Sequence, residues 1–211
     1  MSDALRTLQG KIGAVADGQF GPNTARAIAK HYDFTPARGA HFLGQVIHES
    51  GTFRYTTESL SYSADRLLKT FKRYFKDEEH AAQYARNPEK LANYVYMDVN
   101  RSKKSQLGNI HEGDGWLWRG RGFLQVTGRS NYRAFAAEMR LPDVIKDPDL
   151  VATDYPLESA IWFFDRNNIW NICDKGVDED TIRKVTKIVN GGQNGIKHRI
   201  QETTKIYDWL S

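Results

Sequence analysis

The segment ARGAHFLGQVIHESG, residues 37–51, decides the fold class. Phe42, Leu43, Val46 and Ile47 recur at helical spacing on one side, and Gly51 stands where a helix over 37–50 must stop. So apolar a side has to be covered by other helices, and the flanking sequence supplies them. Periodicity predicts helices over 4–12, 24–32, 63–75, 79–86, 88–96, 131–139, 156–167, 178–189 and 196–210. In 63–75, Leu67, Leu68, Phe71 and Phe75 turn inward while Lys69, Lys72, Arg73 and Lys76 face water. Only 122–126 reads as a short strand, so the chain is expected to be mainly α with at most a small β element. Residues 100–121, rich in Gly, Asn and Ser and carrying Trp116 and Trp118, read as an irregular loop that serves function. Trp162 and Trp170 follow helical spacing and read as core.

No Pro/Ser/Gly-rich linker and no repeat divides the 211 residues, and 40% hydrophobic content is enough for a sizeable core. The single Cys173 excludes an internal disulfide and a cysteine-rich metal cluster. The six His residues lack ligand spacing, the position four after His48 is Thr52, and Asp143, Asp147 and Asp149 lack the pattern of a calcium loop, so no metal is expected. Gly120-Arg121-Gly122 lacks the third glycine of a dinucleotide fingerprint, and no P-loop is present. Neither a cofactor nor a nucleic-acid partner is expected. A net charge of +4 is compatible with an anionic polymer but selects none. The first residues, MSDALRTLQG, do not read as a secretory leader, and no apolar run approaches the roughly 20 residues that span a bilayer. Stable membrane insertion is therefore not expected.

Two carboxylates carry the chemical suggestion. Glu49 falls three residues after Val46, at the C-terminal end of its helix and on the rim of the apolar side, where desolvation and the helix dipole favour the protonated acid. Glu58 follows nine residues later in the polar stretch TTESLSYS, where Thr56, Thr57 and Ser59 are expected to keep it solvated and ionised. Contrasting carboxyl groups suit glycosidic cleavage, one protonating the leaving oxygen and one activating water or attacking carbon. The competing structural reading pairs Glu49 with an Arg and leaves Glu58 an exposed loop acid.

The stretch GRGFLQVTGRSNY, residues 120–132, together with HESG at 48–51, closely resembles the signature of glycoside hydrolase family nineteen, the chitinase and phage-endolysin family. ESLSYSADRL from Glu58, DPDLVATDYPLESAIWFF from Asp147 and IVNGG from Ile188 agree in the right order. The resemblance implies a lysozyme-like, two-lobed helical fold with a substrate groove, and an inverting mechanism. Inversion requires acids roughly 6.5–9.5 Å apart, with a water between. Glu49 matches the general acid and Glu58 the general base of the shorter bacterial and phage members. Gln125 matches a sugar-binding glutamine, and Thr127 stands where plant relatives carry the serine that helps hold the water. Asn131 and Tyr132 match an Asn-Tyr pair beside the groove, Asn190 an asparagine near substrate, and Arg199 an arginine near the acids. Trp116 and Trp118 are the candidates for stacking on sugar rings. Bland readings stand beside these: Gln125 and Thr127 as hydrogen-bonded core residues, and Asn190 as a helix C-cap.

The segment ADGQFGPNTARAIA, residues 16–29, is similar to the core of a peptidoglycan-binding module. Residues 1–35 are accordingly expected to form a short binding-like helical segment packed on a single catalytic domain of two lobes spanning 1–211. Asn23 or Thr24 is the expected helix cap, with Phe20 packing on the helix that begins there. The expected substrate is the glycan strand of peptidoglycan, with chitin, or wall binding without catalysis, as the rivals. An enzyme of this kind is expected to be a monomer made in the host cytoplasm, reaching the periplasmic wall once a separate holin has opened the membrane.

Overall fold

Thr35 accepts a hydrogen bond from the Arg38 amide, Pro36 occupies the first helical position, and the helix they open runs Pro36–Ser50 (α3). Gly51 ends it in the left-handed conformation at φ 60°, as its sequence position requires. A computed structural model describes residues 2–211, which divide into two compact units: residues 2–56 with 155–211, and residues 57–154.

In the first unit α3 is the central element. It packs chiefly along Ile196–Leu210 (α14), and also against Pro22–His31 (α2), Trp170–Cys173 (α12) and Glu179–Asn190 (α13). Phe42, Leu43 and Val46 are fully buried, and the Phe42 ring meets Phe34, Phe164 of Pro156–Arg166 (α11) and Trp170. Trp162 is buried at 4% exposure, as its spacing predicts, whereas Trp170 is only half-buried, with the Arg38 guanidinium over its ring. Gly44 is where α14 comes closest: a Cβ there would meet the Thr203 hydroxyl and lie 3.1 Å from the Thr203 amide nitrogen. Gly44→Ala is therefore expected to force α3 and α14 apart and to cost about 1–3 kcal/mol, read as a lower urea midpoint. An unchanged midpoint would mean that this crossing is not close-packed.

Residues 2–35 belong to this unit and pack on α3 and α14 through α2. Gln9 of Asp3–Lys11 (α1) knits the DGQFG turn together, donating to Asp17 Oδ1 and the Gln19 carbonyl and accepting from the Gly18 amide. The expected caps differ: Gly21 is the N-cap of α2, Pro22 takes the first position, and Thr24 is buried against Gln9. The Phe20 ring packs on Phe53 and Trp209, at 5.2 and 6.0 Å.

The second unit contains Ala64–Thr70 (α4), Glu78–Ala82 (α5), Pro88–Val95 (α6), Asp114–Leu117 (α7), Arg129–Glu138 (α8), Asp143–Lys146 (α9) and Leu150–Thr153 (α10). The helix predicted to reach residue 75 stops at Thr70, and Asp77 opens a new one by accepting from the His80 amide. Phe71 and Phe75 still face the apolar cluster of Leu60, Leu67, Leu91 and Val95. Gly115 lets α7 press on α6, since a Cβ there would lie 2.7 Å from the Asn93 Cα. The strand expected over 122–126 does not form. Among the described residues β structure is limited to the antiparallel bridges Thr57↔Arg121 and Arg121↔Val126. Between the last two the chain turns through Gly122 and Gln125, both at positive φ, and a turn this tight leaves no room for a ladder. No helix among the described residues is long and apolar enough to cross a membrane.

Candidate active site

Glu49 stands in the last turn of α3 with its side chain 30% accessible, and it is ion-paired through Oε1 with Arg199 Nη2 of α14. Arg199 itself is 1% exposed and makes further bonds to Gln45 Oε1, at 2.5 Å, and to the Asn194 carbonyl, at 3.0 Å. Asn190 donates to the same carbonyl and accepts from the Gly192 amide. Glu49, Arg199 and Asn190 are thus joined in one network, Asn190 as the last residue of α13 and Gly191 as its left-handed cap. The surroundings of Glu49 differ from the apolar rim expected of it: a buried guanidinium holds one oxygen, while Oε2 has no protein partner among the described residues. Beside this pair His48 Nδ1 lies 3.0 Å from His198 Nδ1. Burial, and then the Arg199 charge, hold His48 below its ordinary pKa.

The chain leaves Glu49 through three successive left-handed residues, Gly51, Thr52 and Phe53, at φ 60°, 61° and 61°. The two without glycine's freedom are strained, and buried Phe53 is held by its amide bond to Ser50 Oγ and by the Phe20 ring.

Glu58, in the second unit, is held from both sides. Its Oε2 accepts from Tyr96 Oη at 2.6 Å and its Oε1 from the Gly120 amide at 2.5 Å, while its own amide donates to the Gly120 carbonyl. The nearby Thr56, Thr57 and Ser59 hydroxyls, expected to solvate it, make no hydrogen bond to it. Burial and the Glu58 charge push the Tyr96 hydroxyl well above its usual pKa, so it remains a proton-bearing donor. A Cβ on Gly120 would sit 3.1 Å from the Glu58 carboxyl and 2.6 Å from Gln125 Oε1, which is why this position takes glycine.

Gln125, at φ 53°, donates to the Gly122 carbonyl, and its Oε1 is buried without a protein partner among the described residues. Thr127 Oγ1 donates to the Gln125 carbonyl and Asn131 Nδ2 to the Thr127 carbonyl. Glu58 and Gln125 thus meet at Gly120, and Thr127 and Asn131 join Gln125 through bonds to backbone carbonyls.

Two expected sugar contacts lie in the interior instead. Tyr132 is fully buried; its hydroxyl donates to the Arg119 carbonyl and accepts from Arg121, and burial pushes it up to about 12. Trp118 is 5% exposed, with its indole bonded to Asp114 and its ring against Tyr132. Both support the loop behind Gly120 and present no face to a ligand. Trp116 is half-buried with the Arg119 guanidinium 4.0 Å over its ring. Tyr96 was not foreseen, because 38 residues separate it from Glu58 and no spacing rule joins them.

A protein of Haemophilus influenzae, described as glycosyl hydrolase family 19 domain-containing, is 39% identical over 163 residues, covering 76% of this chain and 74% of the relative. This chain belongs to glycoside hydrolase family 19. No family model matches it. The family 19 assignment agrees with the fold: chitinase C of Streptomyces griseus HUT6037 superposes with a TM-score of 0.52 at 18% identity, covering 99% of this chain and 92% of that one. A class IV family 19 chitinase of Zea mays aligns over 99% of this chain and 78% of its own, at 18% identity and a TM-score of 0.47. As a family 19 glycoside hydrolase with a chitinase-like, mainly helical fold, the protein has the two glutamates as its candidate acid and base.

Proposed function

We propose that this family 19 hydrolase is an endolysin that cleaves the glycan strand of bacterial peptidoglycan with inversion, Glu49 being the general acid and Glu58 the general base. The observation that carries the reading is the contrast between the two carboxylates. Arg199 holds Glu49 through Oε1 alone and leaves Oε2 open to a glycosidic oxygen, whereas both oxygens of Glu58 accept hydrogen bonds. Glu49 protonates the glycosidic oxygen as the bond to the anomeric carbon breaks. Glu58 takes a proton from a water whose oxygen bonds to that carbon from the opposite face. The Thr127 hydroxyl and the unpartnered Gln125 Oε1 hold that water, with Asn131, Asn190 and Trp116 as sugar contacts.

Peptidoglycan is favoured by the likeness to the phage and bacterial branch and by the wall-binding-like segment 16–29. The likeness to chitinase C keeps chitin as the second reading. In the endolysin reading the protein is a monomer that meets the wall after a holin opens the membrane. Mass spectrometry of borohydride-reduced products from purified peptidoglycan, run beside chitin oligomers, tests it. New reduced ends from peptidoglycan that vanish in Glu49→Gln are expected, muramitol marking a muramidase and glucosaminitol a glucosaminidase. Products from chitin alone would move the protein to the second reading, and wall binding with no products would leave only a lectin.

Tyr96→Phe removes one hydrogen bond to the base and nothing else of its shape. Glu58 then loses one of the two donors that orient it, and a misplaced base should lower kcat on the order of 10- to 100-fold with KM little changed. Wild-type kcat in this variant would mean that Glu58 needs no such hold.

A further inference from the structure

A cavity of about 470 Å³ opens in the second unit along α6, lined by Tyr84, Asn87, Glu89, Lys90, Asn93 and Tyr94. Its polar groups have unused bonding capacity. Asn87 Oδ1 accepts from the Lys90 amide and Asn93 Oδ1 from the Trp116 amide, which leaves both side-chain NH₂ groups without a protein partner among the described residues. The Tyr84 and Tyr94 hydroxyls and the Glu89 carboxylate are equally uncommitted there. The one cation, Lys90, is already engaged by the Gln83 carbonyl at 3.0 Å and by the Tyr84 ring at 4.6 Å.

That inventory selects a class of ligand. An anion meets the unpaired Glu89 charge and finds no free cation; a metal or an organic cation meets the Lys90 ammonium. An apolar ligand would strip water from five polar groups and return nothing. A neutral ligand dense in hydroxyl and amide groups satisfies them all, since each hydroxyl can donate to carboxylate or phenol oxygen and accept from an amide NH₂.

The cavity is also aligned with the general base. Glu89 and Asn93 of α6 and its C-terminal cap Tyr96 stand four and then three residues apart, so they share one side of the helix. Tyr96 is the residue whose hydroxyl holds Glu58, and Glu89 lies roughly 10 Å from it along the helix axis.

We propose that this cavity is a saccharide site that holds the glycan strand at a distance from the scissile bond, with Glu89, Asn93, Tyr84 and Tyr94 as its hydrogen-bonding groups. The proposal rests on the glycan reading of Glu49 and Glu58, and its test is separable from it. The probe is the tetrasaccharide of N-acetylglucosamine added to ¹⁵N-labelled Glu49→Gln protein, followed by amide chemical shifts. Saturable shifts at Tyr84, Glu89, Asn93 and Tyr94 are expected. They should be lost in a protein that also carries Tyr84→Phe, Tyr94→Phe and Glu89→Ala, substitutions that keep the rings and alter only the surface.

On an otherwise wild-type background the same three substitutions should raise KM for long strands about tenfold, the loss of roughly one net hydrogen bond, with kcat unchanged. Shifts confined to residues around Gly120, or absent, overturn the proposal, as does a fall in kcat without a change in KM. The glycosidase reading stands or falls separately, on whether wild-type protein releases new reducing ends.

Discussion

Glu49→Gln is expected to leave a folded protein that has lost on the order of 10²- to 10⁴-fold in kcat, the usual contribution of a general acid. The substitution keeps the size of the side chain and its acceptor oxygen, so Arg199 retains its contact, and the helix end and the Gly51 cap are untouched. What disappears is the proton that the leaving oxygen must receive. Because that proton moves only in the transition state, kcat should fall while KM holds. The melting temperature should fall by only a few degrees, since Arg199 keeps a hydrogen bond to the amide oxygen although its buried guanidinium loses its counter-charge. Near-wild-type turnover on purified wall would show that the acid lies elsewhere. A matching loss in Glu58→Gln, with the Tyr96 and Gly120 donors still in place, completes the assignment of two roles.

Much of this was legible in the sequence, and the parts that were not share a physical cause. The helix over 37–50 is readable because Phe42, Leu43, Val46 and Ile47 must share a side and Gly51 is the residue that tolerates a left-handed cap. The strand expected over 122–126 gives way to a backbone reversal, and a positive φ at Gln125, a residue with a Cβ, has no local signature. Trp118 reads as a stacking residue by type and Tyr132 as a groove residue by resemblance, yet Asp114, Arg119 and Arg121 offer their polar atoms buried partners, and an aromatic ring with a satisfied polar tip goes inside. Glu58 was placed by its neighbours in sequence, while its actual donors come from 38 and 62 residues away. Local reading finds elements; it does not find who closes a hydrogen bond across the fold.

Arg199 gives the second large effect, and here stability and catalysis should fall together. The guanidinium is 1% exposed and bonds Glu49, Gln45 and the Asn194 carbonyl, a fork that only arginine can supply. Arg199→Leu fills most of the volume but leaves the fully buried Gln45 without its donor, a cost of about 1–3 kcal/mol. The stranded Glu49 adds less than a fully buried charge would, because 30% of its side chain still meets water. A total of roughly 2–4 kcal/mol corresponds to a melting point lower by about 5–15 °C for a chain of this size. Measured well below that melting point, kcat should still be reduced at least tenfold, because Oε1 of Glu49 is no longer fixed and Oε2 no longer the single free oxygen. Arg199→Lys should recover part of the stability through one contact while remaining catalytically impaired, since a point charge cannot hold Gln45, Glu49 and Asn194 at once. If Arg199→Leu melted lower yet turned over substrate at the wild-type rate, the arginine would be a strut between α3, α14 and the Asn190 turn and would have no part in orienting the acid.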